Sequence, residues 1–129
     1  MNLAVSKAAL ALIGIPFRLH GREVAGGLDC VGLVGEVLRQ AGGKPVLPEG
    51  YSLRLISIEP LLTFAERSGL SDCTVADDAD VVLCRTNPMQ PHLLIHVPGG
   101  FVHAHASLGK VVFMPQPLAW TVLRLWRFF

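Results

Sequence analysis

The first half of the chain carries its apolar residues at helical spacing, and the second carries them in short runs of strand length. The clearest helix spans residues 30–41. Cys30, Val34, Val37 and Ala41 fall on one face there, and Leu33 and Leu38 broaden it. Asp29 stands where an N-cap is needed, and Gly42-Gly43 followed by Pro45 closes the other end. Residues 5–14, rich in Ala and Leu and stopped by Gly14 and Pro16, predict an earlier helix. A third is expected over 59–67, with Pro60 in its first turn and Gly69 beyond its last. After Asp77 the pattern changes to runs over 80–85, 92–97, 101–105, 110–114 and 122–128, all reading as strands. Pro98-Gly99-Gly100 and Ser107-Leu108-Gly109 are natural turns between the second, third and fourth of these. Helices first and an antiparallel sheet second define an α+β arrangement. No repeat, linker or charge block divides it, so residues 1–129 are expected to form a single domain.

Composition narrows the possible functions. The chain is 51% hydrophobic and only 16% charged, the balance of a compact globule. Its 129 residues can bury a core without disulfide or metal staples. Eleven Lys and Arg are scattered and nearly matched by ten acids, for a net charge of +1. There is no basic stripe to bind nucleic acid or an anionic membrane. No window approaches the ~18–20 apolar residues of a membrane span. The apolar run at 8–15 is too short for one. As the core of a signal peptide it has only Lys7 before it, Pro16 at its end and no small-x-small cleavage site after it. It is therefore expected to be a helix of the domain, and no export signal is expected. Three cysteines without framework spacing predict free thiols and a reducing compartment. Cys73 and Cys84 read as small buried or inert thiols.

Cys30 differs, because it opens the best helix. Unpaired N–H groups and the helix dipole favour a thiolate at such a position. The preceding Gly26-Gly27-Leu28-Asp29 brings a tight loop up to it. A nucleophilic cysteine needs a base within hydrogen-bond reach and a third group to orient that base. Four of the five histidines lie at 92, 96, 103 and 105, on two strands joined by a tight turn. Alternation puts His92 and His96 on one face and His103 with His105 on one face of the next strand. A metal site is the competing use of such a cluster. His92 and His96 stand roughly 13 Å apart along a strand at about 3.3 Å per residue, too far to share one ion. No metal or other cofactor is expected. His20, alone in the early loop, reads as solvated. Residue patterns do not choose among the clustered histidines.

Several segments together resemble a known family. The run Gly14-Ile15-Pro16-Phe17-Arg18, then Gly21, then Gly27-Leu28-Asp29-Cys30-Val31-Gly32-Leu33-Val34, resembles the N-terminal motif of NlpC-type peptidases. These are papain-like cysteine peptidases that cleave cell-wall peptides. Asp80-Val81-Val82, His92-Leu93-Leu94-Ile95 and Phe101-Val102-His103-Ala104 resemble the family's histidine strand and its neighbours. The resemblance implies a papain-like fold, with Cys30 as nucleophile, His92 as general base and His103 as the residue orienting His92. It also implies that Asp29, Phe17 and Gly27 contribute to the loop around the oxyanion and substrate. Four positions depart from the family pattern. Val31 replaces the usual serine, Phe17 a common tyrosine, Leu94 a glycine and Ala79 another glycine. Lacking a hydroxyl, Phe17 cannot assist at the reacting centre as tyrosine is thought to do.

The expected substrate is the peptidoglycan stem peptide, cut at the bond between D-glutamate and a diamino acid as in many such enzymes. The valine form of the motif is similar to phage-associated members. Phage tail proteins are therefore possible partners, and the expected location is the cytoplasm or the phage particle. The alternative is a catalytically weak member serving as a structural or wall-binding part of a phage tail. The papain-like site also serves other amides and acyl esters. The segment 43–57, including Tyr51, is expected either to roof the site or simply to join two helices.

Overall fold

A computed structural model describes residues 1–48, 57–87 and 90–128. Tyr51 and most of the segment expected to roof the site or join two helices lie outside the described residues. Helix α1 spans Leu3–Ala11 and starts two residues earlier than the apolar pattern suggests. The cause is Asn2, whose side-chain oxygen accepts from the N–H groups of Ala4 and Val5 at 2.9 and 3.2 Å. Helix α1 ends before Gly14, which has φ +94°. The apolar run at 8–15 thus contributes to a helix packed within the domain, with Val5, Ala8, Ala9 and Leu12 in the core.

The expected loop over 16–28 contains a small ladder of β1 (Arg22–Glu23) and β2 (Gly27–Leu28). Helix α2 follows at once, over Cys30–Gln40, capped by Asp29 as its position suggests. Helix α3 spans Glu59–Arg67. Strands β4 (Val81–Asn87), β5 (Gln90–Val97), β6 (Gly100–His105), β7 (Lys110–Pro115) and β8 (Thr121–Phe128) match the five expected runs to within a few residues at each end. Strand β3, Leu70–Asp72, has no counterpart in the sequence reading. It is three residues long and is defined by pairing with β8, from Leu70↔Phe128 to Asp72↔Trp126.

The sheet has the order β3-β8-β4-β5-β6-β7, antiparallel throughout. Its central strands are covered on both faces. Leu93, Ile95 and Val97 of β5 pack towards α1 and α2, with Leu33, Val34 and Val37. Leu94 lies in a second cluster with Val82, Cys84 and Phe101, roofed by Leu118, Trp120 and Leu125. Each fully buried Leu or Val on these faces is worth about 1.5–3 kcal/mol relative to exposure. Two-sided burial explains why β5 reads as an apolar run instead of a clean alternation.

A buried carboxylate ties the chain ends together. Asp80 Oδ1 accepts from the Asn2 N–H and Oδ2 from the Phe128 N–H at 2.9 Å, while Asn2 Nδ2 donates to the Phe128 carbonyl at 3.0 Å. Burying this charge is tolerable because both oxygens are hydrogen-bonded.

Candidate active site

The loop before α2 is built from close contacts that only glycine permits. A Cβ on Gly32 would collide with the Gly21 carbonyl, and one on Gly21 would collide with the Gly27 carbonyl. Gly27 has φ +104° and carries the chain over the Pro16 carbonyl, which accepts from the Leu28 N–H at 2.9 Å. Asp29 locks this arrangement from beneath. Its Oδ1 caps α2 by accepting from the Gly32 N–H at 2.8 Å and lies 3.3 Å from Arg22 Nη1. Its Oδ2 accepts from the His20 N–H at 2.8 Å, and His20 adopts left-handed backbone at φ +59° to present that group. Arg22 also donates to the Pro48 carbonyl at 3.1 Å. Asp29 is completely buried, and both it and Gly27 lie off the cleft described next. They shape the loop from behind.

The cleft encloses about 180 Å³ and is lined by Phe17, Cys30, Thr86, Gln90, His92, His103, Ala104, His105, Ala106, Ser107 and Trp120. Residues from α2, β4, β5, β6 and the approach to β8 therefore meet in one place. The β5–β6 pairing runs from the hairpin to Ile95↔Val102. The Cys30 sulfur lies against the backbone N–H of Leu93, just past that pair. The N-terminus of α2 thus meets the sheet at β5, and Cys30 lines the same cleft as His92 and His103.

His92 Nε2 and His103 Nδ1 are 2.9 Å apart, and the rings meet edge to face with centroids at 5.0 Å. Trp120 packs edge-on against both, at 5.9 and 5.7 Å. It wedges the pair into one geometry. Nothing in the sequence marks Trp120, because no local pattern identifies a residue in a turn as part of a site assembled from distant strands. His105, on the same face of β6 as His103, has its ring centroid 5.5 Å from that of His103. His96 is directed elsewhere. Its Nδ1 is 3.0 Å from the Ala79 carbonyl and its ring stacks on Phe101. Among the described residues, no group of three or more His, Cys, Asp or Glu is arranged to hold a metal ion.

The electrostatics favour a neutral resting site. Burial pushes the Cys30 thiol up to about 12, and the Asp29 carboxylate adds to the effect. The N–H groups of Leu93, Val31 and Cys30 pull the other way but do not prevail. The helix N-terminus by itself suggests a stabilised thiolate, so desolvation is what overturns that expectation. His92 is pushed down to about 3 by desolvation and then by the neighbouring His103 and His105. His103 falls to about 4, by desolvation first and His105 second. Near pH 7 the cleft is lined by a neutral thiol and two neutral imidazoles.

The positions that depart from the family pattern are also accommodated. Phe17 is half-buried on the cleft wall, with its N–H donating to the Gly109 carbonyl at 2.8 Å. Leu94 and Ala79 are fully buried in the second core cluster, away from the cleft lining. Cys84 is buried, and its thiol too is raised to about 12, mainly by desolvation. Cys73 is partly exposed, with its thiol 3.1 Å from the Val75 carbonyl.

No family model matches the chain, and no curated protein matches it. Solved structures do. An NlpC1 protein from Trichomonas vaginalis superposes with a TM-score of 0.64 at 18% identity, covering 95% of this chain and 43% of that one. The NlpC/p60 domain of the peptidoglycan hydrolase SagA gives 0.63 at 22% identity, covering 97% of this chain and 98% of that domain. A Staphylococcus aureus protein similar to lipoproteins of the NLP/P60 family gives 0.60 at 19% identity, over 95% and 40% of the two chains. The fold is that of NlpC/p60 domains, in the α+β papain-like arrangement expected from the sequence. The chain spans less than half the length of the first and third of these proteins.

Proposed function

We propose that this chain is a cysteine peptidase that hydrolyses peptide bonds in peptidoglycan stem peptides. The observation that carries the reading is the convergence of Cys30 with the hydrogen-bonded His92–His103 pair on one cleft. The peptidoglycan assignment is supported by the shared fold with the SagA hydrolase domain across nearly the whole of both.

Tautomers follow from the geometry. His92 Nε2 is engaged by His103, so the thiol proton would pass to Nδ1 of His92. A neutral His92 then carries its hydrogen on Nε2 and donates it to Nδ1 of His103, and His103 carries its own on Nε2. The neutral thiol and imidazole imply general-base catalysis in which proton transfer accompanies attack. Sγ bonds to the substrate carbonyl carbon, the Cys30 N–H is a donor available to the oxyanion, and the C–N bond breaks as His92 returns the proton to the leaving amine. Water then hydrolyses the thioester. The D-glutamyl–diamino acid bond is the cleavage site to which the sequence resemblance points.

A second reading, a catalytically weak wall-binding or structural component, is favoured by the burial of Cys30 and the absence of a hydroxyl on Phe17. One experiment separates the two. Purified peptidoglycan is digested with wild-type protein and with Cys30→Ala, and products are identified by mass, with iodoacetamide labelling of Cys30 in parallel. The peptidase reading expects new peptide fragments that vanish in the variant. No fragments from either protein, together with an unlabelled Cys30, favours the structural reading.

A further inference from the structure

His105 takes no part in the mechanism above, yet it lines the same cleft. Its ring centroid lies 5.5 Å from that of His103. Its ring is held by the turn that follows it. The Leu108 N–H donates to His105 Nδ1 at 3.1 Å, so that nitrogen is an acceptor and the hydrogen resides on Nε2. The turn that supplies Leu108 is itself fixed. Gly109, at φ +73°, donates to the His105 and Ala106 carbonyls at 2.9 and 3.2 Å, and its own carbonyl accepts from the Phe17 N–H. A half-buried imidazole is thus held in one tautomer and one orientation by backbone that is locked to the opposite wall of the cleft.

We propose that His105 is a substrate-binding residue whose Nε2–H donates a hydrogen bond to a carbonyl or carboxylate oxygen of the peptide, beside the bond to be cut. The inference rests on the peptidase reading and deepens it. The choice of a neutral donor follows from the surroundings. Thr86, Gln90 and Ser107 are the other polar walls, and His92, His103, Cys30 and Cys84 are the titratable groups packed nearby from β5, β6, α2 and β4. A fixed cation here would repel the proton that His92 must accept, and a carboxylate would repel a peptide acceptor oxygen. A tautomerically fixed N–H recognises the oxygen without altering the charge beside the reacting pair. Little ordering remains to be done on binding, because the turn has already oriented the ring.

The test compares His105→Leu, which removes the donor, with His105→Gln, which restores an N–H. Loss of one hydrogen bond to a substrate oxygen predicts a rise in KM of roughly ten- to a hundred-fold for soluble muropeptides in His105→Leu. Little change in kcat and partial recovery in His105→Gln are expected. Iodoacetamide labelling of Cys30 reads the Cys30–His92 pair without any substrate. Binding is read separately in a Cys30→Ala background, where the nitrogen resonances of His105 should shift on addition of muropeptides and the affinity should fall when Leu replaces His105. Bound muropeptide with unmoved His105 resonances, or unchanged KM in His105→Leu, overturns the proposal. So does a kcat loss in which Cys30 labelling falls equally, since His105 would then act through the pair. Wild-type protein that binds muropeptides through His105 without cleaving them would defeat the peptidase reading and leave the binding role standing. Absence of muropeptide binding in the Cys30→Ala protein would defeat the binding role.

Discussion

Strands β5 and β6 carry histidines at both ends of one sheet face, and the two ends behave differently. At the hairpin end, His96 is buried, with Nδ1 against the Ala79 carbonyl and its ring stacked on Phe101. It sits at a groove of about 530 Å³ lined largely by apolar residues such as Val82, Leu118 and Leu125. At the open end, His92 and His103 bond to each other in a cleft that Cys30 of α2 also lines. Residue type, strand and face are the same. What differs is the neighbour that each ring meets, a backbone carbonyl and a phenyl ring in one case, a second imidazole and an indole in the other. Histidine clusters are therefore better judged by what enters from outside the strand than by their spacing along it.

The sharpest way to break this comparison is to remove one ring from each end. His92→Ala should lower peptide cleavage and neutral-pH labelling of Cys30 by roughly 10²–10⁴-fold, the usual contribution of a general base. His96→Ala should leave labelling within about three-fold and instead cost about 1–3 kcal/mol of stability in urea unfolding, from a lost buried hydrogen bond. Equal losses of labelling in both variants would erase the distinction.

A smaller effect concerns His103 and acid. Its folded value near 4 lies below the ordinary 6.5, so between these pH values the unfolded chain binds more protons than the folded one. Stability is therefore intact above about pH 6.5 and is lost as the pH falls towards 4, by roughly 3 kcal/mol for this group, with His92 adding in the same direction. His103→Asn should flatten the pH dependence of the urea midpoint over that range. It should also retain more cleavage than His103→Ala, because the amide oxygen can still accept from His92 Nε2. An unchanged pH profile would mean that His103 is charged, or solvated, in the folded protein.

The smallest expected effect tests the thiol's surroundings. Asp29→Asn keeps a good N-cap for α2 but removes the negative charge that reinforces the high Cys30 value. In a His92→Ala background, the onset of Cys30 labelling with rising pH should move to lower pH. A shift to higher pH would show that the carboxylate stabilises the thiolate indirectly, through its grip on the loop.

Much of this was legible in the residues themselves. The 3.6-residue spacing from Cys30 onward, with Asp29 before it and two glycines after it, specified α2 and its cap almost to the residue. Proline and glycine turns separated β5, β6 and β7 correctly, because turn geometry is a local property. Strand β3 is not legible in the sequence because three residues carry no period, and only pairing with β8 defines them. Gly21, Gly27 and Gly32 were visible as a motif, but the reason for them, successive backbone carbonyls resting where a Cβ would be, required the folded loop.

The sequence by itself determined the elements, the apolar faces and the position of one cysteine at a helix start, since each depends on neighbours within a few residues along the chain. Tertiary structure decided the sheet order, the placing of Cys30, His92 and His103 on one cleft, the packing of Trp120 against the two imidazoles, and the neutral state of the thiol and imidazoles. Those depend on desolvation and on the approach of segments up to about ninety residues apart, such as those of Cys30 and Trp120 that line one cleft, and no local pattern encodes them.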